Sequence, residues 1–358
     1  MSEATQHRFL QQRFLQQTGA TVPVICGPMY PCSNPELVAA VSAAGGIGVV
    51  QPISLTYVHG HDYREGLRLI ARLAGGHPFG FNALVEKSSR LYEERMIRWV
   101  EIALEEGVRF FLTSLGNPRW VVDRVHAAGG VVYHDVINRR WGEKARDEGV
   151  DGLIAVNNRA GGHLGSTDPR ALLADLAPLG LPVVGAGGVG NAADFARMLE
   201  FGYAAAQVGT RFIATVECRS GESYKLAILA AGEGDIVTTE RLSGVPVAVI
   251  NTPYIQRLGT TINGFWRWMF TGRKTKHWAR TYFGLKGLWR LKRDQQRAGT
   301  GHHEYWQAGR GVESIDDVVP AGEVVRRFEA AWRRGAGHRR DEGSVLGPLG
   351  DLISGDRG

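Results

Sequence analysis

Apolar runs and helix-like stretches alternate along most of this chain at short intervals. The runs 22–29, 46–51, 79–84, 109–115, 130–136, 152–156, 182–187 and 204–209 are largely continuous in apolar residues rather than alternating. That is the mark of strands covered on both faces. Between them fall segments with helical spacing, among them 34–44, 92–106, 118–128, 139–148, 169–177 and 192–201. Eight strand–helix units in sequence predict an α/β fold, a (β/α)8 TIM barrel with its active site at the C-terminal ends of the strands. A doubly wound open sheet can use the same units, but glycines after the seventh and eighth strands favour the barrel and its phosphate site. The expected organisation is a capping segment over 1–20, the barrel over 21–250, and a helical insertion over 251–300. A segment packing back on the barrel over 301–334 and a mobile tail over 335–358 complete it. With 358 residues, 44% of them hydrophobic, the chain can bury a core of that size.

The strand ends carry the candidate chemistry. After the sixth run comes Ala160-Gly161-Gly162-His163-Leu164-Gly165, where one imidazole projects from a loop with little side-chain bulk. Such a loop lets a planar ligand approach the backbone beside a residue that titrates near neutrality. The seventh run ends in Gly187-Gly188 and the eighth in Gly209-Thr210. Glycine amides at two successive strand ends can form a phosphate cradle. The first strand ends in Gly27-Pro28-Met29. The third holds Asn82 between apolar neighbours, where a buried amide needs partners that a ligand ring would supply. His134 sits beside Asp135 in the fifth, and a core His–Asp pair competes with a functional reading. Arg159, just before the histidine loop, is a candidate anion contact or a solvated loop arginine.

The charge is local. The net charge is +6, yet the stretch 255–300 alone carries +10 and the rest about −4. Its cations alternate with Trp266, Trp268, Phe270, Trp278, Tyr282, Phe283 and Trp289. The leading reading is an amphipathic appendage whose aromatics pack on the main domain while the cations stay solvated, and the same aromatics offer a surface for a homodimer. Contact with an anionic membrane surface comes next, and nucleic acid, for which no motif speaks, last. The three cysteines, Cys26, Cys32 and Cys218, have no metal-like spacing and suggest a reducing compartment, and no metal site is expected. The start lacks a signal-peptide core and no run of 18 apolar residues occurs, so the expected location is the cytoplasm, with peripheral membrane association as the variant.

The same residues carry a family resemblance. The histidine loop, Gly-Pro-Met at 27–29, Phe-Asn-Ala-Leu at 81–84, Gly-Ala-Gly-Gly-Val at 185–189 and Gly-Thr-Arg-Phe-Ile-Ala-Thr at 209–215 stand in order. In these the chain resembles the nitronate monooxygenases, formerly 2-nitropropane dioxygenases, which are FMN-dependent (β/α)8 barrels. The resemblance implies that Pro28 and Met29 line the flavin, that Asn82 hydrogen-bonds to it, and that Gly162 lies near its chain. It further implies that Gly187, Gly188, Gly209 and Thr210 hold the FMN phosphate and that His163 is catalytic. Val156 stands where many members carry Gln or Glu, and Arg159 where many carry an acid. The implied reaction oxidises alkyl nitronates, and nitroalkanes after proton removal, with oxygen to carbonyl compounds and nitrite. An NAD(P)H-dependent FMN oxidoreductase acting on quinones or enoyl thioesters is the alternative. A membrane-associated flavin-binding protein is the alternative of another class.

Overall fold

The computed structural model describes residues 2–85, 90–242, 244–261 and 305–341. Most of the basic aromatic stretch 255–300 and the tail beyond residue 341 lie outside them.

Eight parallel strands close into a barrel: β1 (Val24–Cys26), β2 (Ile47–Val50), β3 (Gly80–Leu84), β4 (Phe110–Ser114), β5 (Val131–Val136), β6 (Gly152–Val156), β8 (Val183–Ala186) and β9 (Ala205–Val208). Closure is made by β9 against β1, with Val24, Ile25 and Cys26 opposite Ala206, Gln207 and Val208. Every barrel strand lies within an apolar run read from the sequence. Some are shorter than their run: the first gives way at Gly27-Pro28, where proline lacks the N–H that would continue the ladder.

Alternation of side chains splits each strand between two cores. Ile25, Val49, Leu112, Tyr133, Ile154, Val184 and Ala205 fill the interior of the barrel. Val24, Phe81, Phe111, Leu153 and Ala206 face the surrounding helices. The helix α1 (Glu3–Thr18) covers the N-terminal end. Its Phe14 is fully buried edge-on to Tyr133 at 6.0 Å, and the Tyr133 hydroxyl donates to Gln17 Oε1 at 2.7 Å. The helix starts on the Ser2 side chain and stops at Gly19 with φ 71°, a conformation that favours glycine. With that end plugged, a ligand can enter only at the opposite, C-terminal mouth.

The helices of the outer layer are α2 (Pro35–Ala43), α3 (Tyr63–Leu73), α4 (Arg90–Glu105), α5 (Arg119–Ala127), α6 (Arg139–Asp147), α7 (Pro169–Leu176) and α8 (Ala192–Glu200), then the single turn α9 (Thr210–Ile213). A small antiparallel sheet, not expected from the sequence pattern, lies beside the mouth. In it β11 (Val247–Ile250) pairs on one side with β10 (Ile236–Thr239) and on the other with the two-residue strand β7 (Gly162–His163). Two further helices, α10 (Glu222–Ala230) and α11 (Pro253–Leu258), flank it in sequence. No described helix is long and apolar enough to cross a membrane.

The chain then returns at Tyr305, and α12 (Ala321–Asp341) packs against α8 and α2. The helix runs nine residues past Trp332, where the apolar spacing ends. Phe328 stacks on Phe195 of α8 with ring centres 4.6 Å apart and 7° between planes, both side chains being fully buried. Beneath it Arg211, 3% exposed, meets Asp317 at 3.0 Å, and Arg327 closes on the same carboxylate at 2.7 Å. Asp317 is held below the usual carboxylate range by Arg327 and Arg211, against the opposing effect of burial. Replacing Phe328 with alanine removes the stacked ring and leaves a cavity. Urea unfolding should show a loss of about 3–5 kcal/mol, and retention of full stability would mean that α12 is not part of the cooperative unit.

Candidate active site

The mouth of the barrel is built from the residues just past the strands. After β8, Gly187 and Gly188 take φ 117° and 86°, the left-handed side that only glycine enters without strain. A Cβ on Gly187 would lie 2.4 Å from the Ala160 backbone nitrogen. The loops after β6 and β8 are therefore in backbone contact. Asn157, fully buried at the end of β6, ties them: its Nδ2 donates to Gly187 O at 3.1 Å and its Oδ1 accepts from Arg159 N at 2.8 Å.

The N–H groups of Gly187, Gly188, Gly209 and Thr210 donate to no protein acceptor among the described residues, and all four residues keep partial access to solvent. The following helix is different. The first turn of α8 is capped by Asn191 Oδ1, which accepts from Ala193 N and Asp194 N at 3.0 Å each. The free donors thus belong to the glycine turns and not to the helix end. Met29 Sδ stands 3.4 Å from where a Gly209 Cβ would be, so the Pro28-Met29 turn and the β9 turn are adjacent. The Thr210 hydroxyl accepts from Gly309 N at 3.0 Å, which commits one of its lone pairs to the protein.

The glycine frame of the histidine loop has a reason the sequence did not show. A Cβ on Gly161 would lie 2.6 Å from Gly309 N, and one on Gly162, at φ 68°, would lie 2.8 Å from Gln307 Oε1. These glycines make room for the returning chain at 307–309. Held there, β7 pairs with β11, Gly162 opposite Ala248 and His163 opposite Val247. The imidazole of His163 makes no hydrogen bond among the described residues and is exposed at its surface. The protein around it still desolvates the ring enough to pull its pKa below 6.5. A ring with a lowered pKa is neutral at pH 7 and free to accept a proton.

Asn82 faces the barrel interior, the alternate residues Phe81 and Ala83 belonging to the outer core. Its amide is 5% exposed and has no hydrogen-bond partner among the described residues. Gln207 Oε1, on the same inner side of β9, is buried without a partner. Unpaired buried amides cost about 1–3 kcal/mol each, so these groups fit a polar ring that fills the mouth.

Two candidates are placed elsewhere. His134 points away from the interior, between β5 and the helices, with its Nδ1 2.8 Å from the Thr113 hydroxyl. Burial pushes its pKa down to about 4, and it is a neutral core histidine. Its partner is Thr113 and not the neighbouring Asp135. Arg159 is half-buried and not free: both its terminal nitrogens bind Glu233 at 2.8 Å, and Arg310 approaches the same carboxylate at 3.4 Å. Its guanidinium stem lies across Gly188, with Nε 2.9 Å from a Cβ placed there. Asn157 and Glu233 were not singled out in the sequence, and the segment 301–334, expected to pack back on the barrel, was given no part in the site. The pair Gly309 and Gly311 was the available signal, since glycines spaced by one residue far from the motif mark close backbone approach.

A closed parallel barrel with free amides at the seventh and eighth barrel strand ends and the unpartnered imidazole of His163 on the loop after β6 has the architecture of the TIM-barrel class. The nitronate monooxygenase family model matches residues 12–329. The chain belongs to the nitronate monooxygenase family, whose members are flavin-dependent oxidoreductases. Nitronate monooxygenase of Pseudomonas aeruginosa is 27% identical over 280 residues, 66% of this chain and 78% of that protein. An enzyme of Rhodococcus jostii, (3aS,4S,5R,7aS)-5-hydroxy-7a-methyl-1-oxo-octahydro-1H-indene-4-carboxyl-CoA dehydrogenase, is 28% identical over 250 residues, 70% of this chain and 68% of that one. FabK of Thermotoga maritima shares the fold, with a TM-score of 0.72 and 24% identity over 92% of this chain and 98% of its own. Nitroalkane oxidase of Streptomyces ansochromogenes does so with a TM-score of 0.70 and 22% identity over 91% and 99%.

Asn157→Ala deletes one hydrogen bond that joins the β6 loop to the β8 loop and one that braces the β6 loop itself. The expected loss is about 2–4 kcal/mol in thermal or denaturant unfolding, with faster hydrogen exchange of residues 158–163 and 187–190. Unchanged exchange in both loops would remove Asn157 as their tie.

Proposed function

We propose that the chain is an FMN-dependent monooxygenase of alkyl nitronates and nitroalkanes, working with oxygen, in which His163 is the base. The observation that carries this reading is the unpartnered, neutral imidazole of His163 set beside four free backbone donors at the mouth. Gly187, Gly188, Gly209 and Thr210 hold the FMN phosphate, Pro28 and Met29 line the ring, Asn82 hydrogen-bonds to it, and Gly162 lies along its chain. When bound, the flavin supplies the redox chemistry, taking electrons from the nitronate and passing them to oxygen.

The protein's own residues do the rest. His163 takes the proton from the carbon beside the nitro group and then, as imidazolium, offsets the negative charge of the nitronate. Because its pKa is lowered, the base form persists below pH 6.5, and activity on neutral nitroalkanes should fall only as pH drops through that lowered value. Arg159 is engaged by Glu233 and has its role in holding the loop over Gly188, not as a free anion site. The closed N-terminal end of the barrel keeps water from entering behind the ring.

A second reading, an FMN oxidoreductase acting on a thioester with the same base, is favoured by the likeness to the carboxyl-CoA dehydrogenase. Anaerobic mixing of the yellow protein with a nitronate, an acyl-CoA, NADH and NADPH separately distinguishes them by which one bleaches the flavin.

Gly209→Asp puts a carboxylate at the phosphate turn without a steric clash, since an ordinary 3.4 Å contact with Met29 is all it meets. It should yield folded, colourless protein, and a full flavin complement would sink the phosphate assignment. His163→Asn should keep the barrel and flavin while lowering activity on neutral nitroalkanes by ~10²–10⁴-fold, and less on pre-formed nitronates. Equal losses on both would rule out a role confined to deprotonation.

A further inference from the structure

Asp135 is the one acid on the barrel strands β1–β6, β8 and β9, and alternation places it inside. Tyr133 on the same strand fills the interior, and Asp135 stands opposite Ile154, another interior residue. The same rule aims Asn82 and Gln207 into that space, from β3 and β9. Asp135 makes no hydrogen bond or ion pair among the described residues. It keeps partial solvent access, yet the protein around it pushes its carboxyl up to about 7 by burial alone.

No charge faces it from its neighbours. The flanking strands β4 and β6 carry none, and on β5 itself His134 is on the outer side and neutral, while the Tyr133 hydroxyl is turned to Gln17. The helices α5 and α6 pack on the outer side of the sheet, where Arg119 pairs with Asp123 and Arg139 with Glu143. Arg159, from the next loop, is held by Glu233, and no hydrogen bond or ion pair joins His163 to Asp135.

We propose that Asp135 is a ligand-binding residue of the barrel mouth, a neutral carboxylic acid that donates a hydrogen bond to an acceptor on the ring shared with Asn82 and Gln207. The inference rests on the flavin reading above. Together the three side chains offer a carboxyl O–H, two amide NH2 groups and unpartnered amide oxygens, a mixture suited to a ring edge bearing both carbonyls and an N–H. An ionised carboxylate in the same place would meet carbonyl oxygens with like charge and without solvent. Binding therefore takes up a proton once Asp135 is ionised in the free protein.

The test is FMN titration of the apoprotein from pH 5.5 to 9, by quenching of flavin fluorescence, for the native chain, Asp135→Asn and Asp135→Leu. The native affinity should fall relative to Asp135→Asn by ~10-fold per pH unit above about 7. Asp135→Asn, which keeps a donor and cannot ionise, should bind without that slope. Asp135→Leu should bind more weakly at every pH. A native affinity that runs parallel to that of Asp135→Asn up to pH 9 would overturn the proposal.

Thermal unfolding of the flavin-free proteins gives a second readout. A carboxyl raised from its unfolded value near 3.9 costs stability as pH rises from about 4 to 7. The melting temperature of the native chain should therefore fall against that of Asp135→Asn over that range and level off above it. Parallel curves would refute the neutral carboxyl whatever the ligand. Failure of the native protein to bind flavin at every pH, with the stability difference intact, would instead refute the flavin reading and with it the ring contact.

Discussion

The catalytic end of this protein depends on one backbone-to-backbone contact. The chain at Gly161 runs against the chain at Gly309 so closely that a Cβ on either would fall 2.6 Å from a backbone atom of the other side. Arg310 N donates to Arg159 O at 2.9 Å, and Thr210 Oγ1 accepts from Gly309 N. One short segment from the C-terminal part of the chain thus ties the histidine loop to the Gly209-Thr210 turn. Glycine is required on both sides because no side chain, however small, fits between them. The contact holds β7 where it can pair with β11 and leaves the imidazole unpartnered.

The chemistry of the mouth follows from polar groups left unpaired. Most buried polar atoms in a fold are satisfied by their own protein, yet Asn82, Asp135 and Gln207 Oε1 share an interior in which they are not. Elsewhere some such groups are satisfied: His134 has Thr113, and Arg159 has Glu233. Asn82, Asp135 and Gln207 face the interior toward the open end of the barrel, where the N–H groups of Gly187, Gly188, Gly209 and Thr210 are also free. Unpaired buried atoms occur elsewhere too, among them His61 Nε2, Ser220 Oγ and Glu240 Oε2, so what marks the mouth is that its unpaired groups face one shared space. Burial without counter-charges keeps His163 and Asp135 near their neutral forms, a state suited to proton transfer and to hydrogen bonding with an uncharged ring.

Much of the fold was legible in the apolar runs. All eight barrel strands fell inside them, and the continuous apolar character of those runs already required cover on both faces. The small sheet was not legible, because β7 has two residues and its pairing with Val247 and Ala248 lies more than 80 positions away along the chain. The helix α3 was legible but not singled out: Tyr63, Gly66, Leu67 and Ile70 recur at helical spacing opposite Arg64, Glu65, Arg68 and Arg72. The glycines of the histidine loop were legible as a site, but the reason for them was not. The sequence suggested room for a ligand, and the space is taken by residues 307–309.

By itself the sequence determined the barrel, the order of its strands and the glycine turns at their ends, and it marked His163 as the candidate imidazole. These are local matters of periodicity and of backbone freedom, which each residue carries with it. Only the tertiary structure decided which polar side chains face the interior. A shift of one residue turns a side chain from the barrel to the helices, and that register is set by pairing with neighbouring strands. So His134 is core and Asp135 is in the mouth, although they are adjacent in the chain. The partners of Arg159 and of the histidine loop were likewise settled by the fold, since they come from segments about 75 and 150 residues downstream that meet only when the barrel closes.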